Sequence, residues 1–259
     1  MTKLEIYNAL MADSPKLKIR VESLIPKMAK QIKKEKRFPA WKWDEYTHQE
    51  SRNHYLICFY APDFQSADKP IVHCLGLLED DRQRIIVQWG SWMYRKNGSI
   101  DCLKSRYIGF FLGHFFSRYR ERFWKGDEMT NNELICRYFS RNTFTIPLEL
   151  NESIQRNYKQ YGYYAEYAFQ VPDGTCFIRH WNEGDERTVG EADCDFISVV
   201  VFLTFVNKGL QTDTQKRAIM QEGRKYVVTY YKNLFKDITK EAVFRYLDIQ
   251  KTINNDKEQ

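Results

Sequence analysis

Apolar residues recur at helical spacing near the start of the chain. Leu17, Val21, Leu24, Ile25, Met28 and Ile32 share one face, which predicts helices over residues 3–12 and 15–36. Ser14 and Pro15 supply an N-cap and a first-turn proline for the second helix. Pro26 lies inside the pattern and predicts a kink or a break into two shorter helices. From residue 55 the pattern changes. Short apolar runs at 55–60, 70–78 and 84–94, with turn residues at 79–82 and 95–99, predict strands and a hairpin.

Helical spacing resumes over 100–125, 130–141 and 147–161. Thr130 and Glu133 have the spacing of a capping box at the head of the second of these. A second β region follows: 163–170, a turn at 171–174, a strand at 175–181, a turn at 182–185, and a strand at 196–206. That last run is almost wholly apolar, as expected of a central strand covered on both faces. Residues 213–254 read as helical apart from an aromatic stretch at 226–235.

The alternation of these elements predicts an α+β fold: a mixed or antiparallel sheet with helices packed around it and helical additions at both termini. No Gly/Ser/Pro-rich linker or internal repeat divides the chain, so a single domain over 1–259 is the simplest account. It would comprise N-terminal helices (1–40), a core (41–210) and a C-terminal helical extension (211–259).

Composition narrows the class. The 259 residues are 43% hydrophobic with 12 Gly and 7 Pro, which excludes a disordered or low-complexity chain. A mean hydropathy of −0.62 and the lack of a long charge-free apolar run argue against a membrane span. Residues 1–11 lack the apolar centre of a secretory signal and read as mature sequence. None of the six cysteines (Cys58, Cys74, Cys102, Cys136, Cys176, Cys194) has the close spacing of a zinc or redox motif. They read as buried reduced thiols of a cytoplasmic protein.

The net charge of +6 is unevenly distributed. Residues 1–40 hold ten basic against four acidic residues, and residues 95–125 hold eight against two. Residues 171–195 reverse the balance, with seven acidic against two basic. Two basic helical regions set against an acidic remainder point to a specific anionic partner, RNA or another phosphate-rich anion, or to a protein partner. The dense aromatics, Trp41, Trp43, Trp89, Trp92 and Tyr94 among them, read mainly as core and rim.

Candidate chemistry concentrates in residues 113–123. On a helix, His114, Arg118 and Arg122 drift by about 40° at each step and form a stripe about 12 Å long beside an aromatic face. A histidine can move a proton near neutral pH, and two guanidinium groups fit phosphate oxygens. Together they could bind an RNA backbone and stabilise charge developing on phosphorus, without a metal. The same stripe can equally be an ion-pair-laced surface, since Arg118 and Glu121 stand three apart.

The His-x3-Arg-x3-Arg pattern beside aromatics resembles small families related to the RelE/barnase/colicin class of metal-independent ribonucleases. The resemblance spans residues 105–206. It implies His114 as general acid or base, Arg118 and Arg122 as phosphate clamps, and Thr204 in the buried strand as a positioning hydroxyl.

Other chemistry is sparse. On strand alternation Arg179 faces with Phe177 and Trp181, and His180 with Ile178, as a core or interface histidine. His48, His54 and His73 form no metal-ligand spacing, and no metal or other cofactor is expected. Neither a phosphate-cradling glycine loop nor a serine nucleophile elbow occurs. Two functional readings result: an RNA-cleaving or RNA-binding protein, and a non-enzymatic interaction protein with a basic, aromatic surface.

Overall fold

In the computed structural model, side chains that alternate along the strands divide between two faces of one sheet. The structure describes residues 1–80, 83–124, 128–142, 145–148, 167–184 and 196–207. Within these, the strands are β1 (Ala40–Thr47), β2 (His54–Ala61), β3 (Ile71–Asp80), β4 (Gln83–Tyr94), β5 (Ile100–Phe111), β6 (Ile146–Leu148), β7 (Tyr167–Val171), β8 (Gly174–Gly184) and β9 (Phe196–Asn207). The helices are α1 (Lys3–Ile32), α2 (Gly113–Phe123) and α3 (Asn131–Arg141), with a 3-10 turn at Gln65–Asp68. The described strands form a nine-stranded sheet in the order β1-β2-β3-β4-β5-β9-β8-β7-β6. Two antiparallel meanders, β1–β5 and β6–β9, meet at a parallel β5/β9 pair. A parallel pair needs a long crossover, and α2 and α3 lie within it. The fold is α+β, as the sequence pattern predicts.

Along β2, Tyr55, Ile57 and Phe59 face a core under α1, whereas Leu56 and Cys58 face a core under α2 and α3. β9 divides in the same way: Ile197 and Val199 lie on the α1 side, Val200 and Phe202 on the α2/α3 side. Both faces of the sheet are therefore covered.

α1 is one helix, not two. Its N-terminus carries a reciprocal capping box, with Thr2 Oγ1 accepting from the Glu5 N–H at 3.1 Å and Glu5 accepting from the Thr2 N–H at 2.7 Å. Pro15 and Pro26 both sit inside the helix. An interior proline costs about 3 kcal/mol, but fully burying one Leu, Val, Ile or Met contributes about 1.5–3 kcal/mol. Leu10, Leu17, Val21, Leu24, Met28 and Ile32 are all buried against the sheet, and that continuous stripe carries the helix through both prolines. Gly76 on β3 brings α1 close, since a Cβ there would lie 3.2 Å from a Leu10 methyl.

The other departures have local causes. Residues 100–111 are strand β5, with Ile108 and Phe110 in one core and Phe111 in the other. A strand buried on both faces loses its polar/apolar alternation and resembles a helix segment. β1 was not anticipated; its Trp41 and Trp43 alternate with Lys42 and Asp44. Residues 146–148 form β6 instead of opening a helix at 147, and 149–161 lie outside the described residues. Residues 182–184 continue β8 where a turn is predicted, while the segments 163–166, 185–195 and the C-terminal extension 211–259 also lie outside. The 171–174 turn is as predicted: Val171 pairs with Gly174. A side chain at Gly174 would meet the Val206 carbonyl oxygen at 2.2 Å, so this position must be glycine.

The thiols correct the sequence reading. Cys58 of β2 and Cys136 of α3 form a disulfide across 78 residues, with their Cα atoms 5.5 Å apart. Their being 78 residues apart hides the pairing from any spacing rule. Cys74, Cys102 and Cys176 are free. Reduced cysteines therefore no longer argue for a cytoplasmic location. No helix among the described residues is long and apolar enough to cross a membrane.

Candidate nucleic-acid interface

α2 carries the His114–Arg118–Arg122 stripe as predicted, but its arginines are bonded within the protein. Arg118 is exposed and ion-pairs with Glu121 at 2.8 Å, one turn along. Arg122 donates to the Phe205 carbonyl, and Asn207 donates back to the Arg122 carbonyl, which ties the end of α2 to the end of β9. Arg120 donates to the Met129 carbonyl at 2.8 Å and to Asn131 at 3.0 Å. His114 lies half-buried in the first turn.

Thr204 is on the other side of the sheet. It pairs with Phe177, whose ring packs with Ala168 and Leu203, whereas the neighbouring Cys176–Phe205 pair packs under α2. Directly paired residues share a face, so the sheet itself separates Thr204 from the three α2 residues. The structure brings His114, Arg118 and Arg122 onto one helix and does not bring Thr204 to them.

Beside α2, aromatic rings and guanidinium groups alternate. Trp41 stacks on Tyr60 at 5.7 Å, and Arg137 lies 4.7 Å from Trp41 and 4.9 Å from Trp124. Arg141 lies 5.6 Å from Trp124 and 4.9 Å from Phe123, which stacks on Tyr119. Each cation is neutralised: Arg137 by Glu133 at 2.7 Å, and Arg141 by a two-pronged bond to the buried Asp173. Asp173 also accepts from Tyr119 at 2.6 Å and from Asn142 at 3.1 Å. Burial, reinforced by Asp173, pushes the Tyr119 hydroxyl well above its ordinary pKa. This row fastens α2, α3 and the β7–β8 turn together.

A second buried carboxylate, Asp13, interrupts the apolar stripe of α1. It accepts from Ser51 Oγ at 2.6 Å, Tyr55 Oη at 2.6 Å and Asn53 Nδ2 at 2.9 Å. Burial pushes the Asp13 pKa up, but these three donors outweigh it and hold the carboxyl below its usual range. His48, Ser51 and Asp13 are the residue types of a hydrolase triad, yet the wiring differs. Ser51 Oγ lies 3.0 Å from His48 Nδ1 but is closer to Asp13, to which it donates at 2.6 Å, and His48 Nδ1 accepts the Ser51 backbone N–H at 3.1 Å and lies 3.5 Å from Asp13. Nucleophile activation requires the serine hydroxyl to donate to a histidine nitrogen that is free to take the proton. The cluster instead pins the β1–β2 loop to α1. Sequence reading passed over it, although an Asp three residues from Leu10 and four from Leu17 on the buried face is a legible signal.

The remaining basic region is α1, and it divides in two. In its first half three cations meet carboxylates of distant elements: Lys16 meets Glu50, Lys18 meets Asp101 at 2.5 Å, and Arg20 meets Asp44 at 2.8 Å. Beyond Val21 in this region, Lys33 alone among the described residues meets a carboxylate, Asp68. Lys27, Lys30, Lys34, Lys36 and Arg37 are exposed, and none of them has a carboxylate partner among the described residues. Lys27 and Lys30 stand three apart on one face of the last turns of α1, and Lys34 follows in the turn just past its C-cap. The nearby carboxylates are already engaged: Glu35 by Lys42, Asp68 by Lys33, and Asp63 by the Ser66 N–H at 2.8 Å. Phe64, 58% exposed, lies beside this cationic end.

These features define an α+β protein with a helix lying across each face of its sheet and an unneutralised cationic corner. No family model matches the chain, and neither does a curated protein or a solved structure. Among the described residues, no group of three His, Cys, Asp or Glu side chains is placed to hold a metal ion.

Proposed function

We propose that the protein binds nucleic acid through the cationic end of α1 and does not cleave it. The observation that carries this is the set of five exposed cations, Lys27, Lys30, Lys34, Lys36 and Arg37, with no carboxylate partner among the described residues. Unneutralised Lys and Arg on one surface bind phosphates by releasing counterions, and each contact steepens the salt dependence of affinity. Cleavage draws no support from α2, where Arg118 and Arg122 are engaged with Glu121 and Phe205 and where Thr204 lies across the sheet.

The test is fluorescence anisotropy with labelled RNA between 50 and 200 mM salt. Replacing Lys27, Lys30 and Lys34 together with Gln is expected to weaken binding and lower the salt slope by about 2, at about 0.7 per phosphate contact on a single strand. Arg118→Gln is expected to change neither. Incubation with RNA in EDTA is expected to leave the RNA intact. Cleavage by the wild type that His114→Ala abolishes would overturn the proposal and restore the ribonuclease reading.

A further inference from the structure

We infer that the cationic corner selects single-stranded nucleic acid, with Phe64 as a stacking platform for an unpaired base. The inference rests on the nucleic-acid reading above and adds the form of the ligand. Its basis is the position of an apolar ring where burial would be expected. Phe64 is 58% exposed, while its neighbour Ala67 in the following turn is fully buried. The ring is held from two sides: Lys33 Nζ lies 5.8 Å from its centroid, and Phe38 meets it edge-on at 6.2 Å.

Those two contacts bracket the chain from 34 to 37. Lys34, Lys36 and Arg37 therefore lie on a short loop whose ends both touch the ring. Lys30 and Lys27 continue from Lys33 back along α1, at about 1.5 Å per residue, and span about 9 Å. A fixed aromatic face with cations running away from it on one side is the arrangement by which single strands are bound: phosphates follow the charge while a base covers the ring. A duplex offers the same phosphates, but its base faces are stacked on one another, so Phe64 would add nothing. The exposed Trp181 and Tyr167 lack this setting, since they lie at the other meander, and Trp41 and Trp124 are half-buried with Arg137 over each ring.

The experiment compares a non-self-complementary RNA of about twelve nucleotides with its duplex, using wild-type protein, Phe64→Leu and Phe64→Trp. Because the ring is mostly in solvent, these variants should fold, and circular dichroism checks that they do. The expected result is tighter single-strand binding by the wild type, a loss of about tenfold in Phe64→Leu, and retention in Phe64→Trp. Duplex affinity and the salt slope should be the same in all three.

Equal single-strand and duplex affinity, insensitive to Phe64, would overturn this inference while leaving phosphate binding through α1 intact. Salt-insensitive binding, or none, would overturn both. Polyglutamate competing as well as RNA would overturn both in favour of an acidic protein partner.

Discussion

Two helical segments carry most of the chain's excess positive charge, and their side chains are used differently. On α2, Arg118, Arg120 and Arg122 each bond to a carboxylate, an amide or a carbonyl of the same protein. At the end of α1, five cations have no carboxylate partner among the described residues. Residues 95–125, which include α2, and residues 1–40, which include α1, each carry a surplus of six positive charges. The difference comes from what the fold brings near them: α2 lies over strand ends and a buried Asp173, while the carboxylates near the end of α1, Glu35, Asp63 and Asp68, are engaged by other groups. A charge count gives the field of a segment, and the neighbouring elements decide how much of it reaches a partner.

The largest expected effect tests whether the α2 side is structural. Asp173→Ala leaves Arg141 and Tyr119 without their shared acceptor. It should cost about 3–5 kcal/mol of stability, since a partly buried cation is left unpaired; urea denaturation measures it. A loss below about 1 kcal/mol would mean that the aromatic–arginine row is not what holds α2 and α3. Next in size, Arg122→Ala removes a charged hydrogen bond to the Phe205 carbonyl and should cost about 1.5–3 kcal/mol. Its RNA affinity should be unchanged once stability is restored by lower temperature. A selective loss of affinity would move the interface back to α2.

Asp13 gives the pH arm of the comparison. Its folded pKa lies below the ordinary value of 3.8. It therefore contributes stability that is complete above the unfolded pKa and lost as pH falls through the folded one. Wild-type stability should fall as pH drops below about 5, and more steeply than that of Asp13→Asn; parallel acid unfolding curves would refute this. The smallest effect is expected at the free cations. Lys27→Gln, Lys30→Gln or Lys34→Gln should each change stability by no more than about 0.5 kcal/mol while weakening RNA binding. Arg118→Gln should change both by similarly little, because an exposed ion pair contributes about 0–1 kcal/mol.

Much of the fold is legible in the sequence because the signals are local. The apolar stripe of α1, the hairpin strands, the Thr130 cap and the tight turn before Gly174 all follow from spacing and turn chemistry. The α2 stripe was legible as geometry for the same reason. The neutralising partners were not: Lys16 meets Glu50, Arg20 meets Asp44 and Lys18 meets Asp101, 34, 24 and 83 residues away. The same holds for Cys58 and Cys136. Nor could spacing show that Thr204 and Arg122 lie on opposite faces of one sheet. Residues 100–111 were misread for a physical reason, since burial on both faces removes the alternation that identifies a strand.

The parallel seam between β5 and β9 has a consequence for the growing polypeptide. Tyr107 pairs with Ser198 and Phe111 with Phe202, so the partner of β5 leaves the ribosome roughly 90 residues after β5 itself. At about 5–20 residues per second, the first meander waits on the order of ten seconds with a central strand's edge unpaired. An open, apolar strand edge is a template for pairing with other chains. The nascent protein is therefore most exposed to misassociation in this interval, and slow codons between residues 112 and 195 should lower its yield more than slow codons before residue 100.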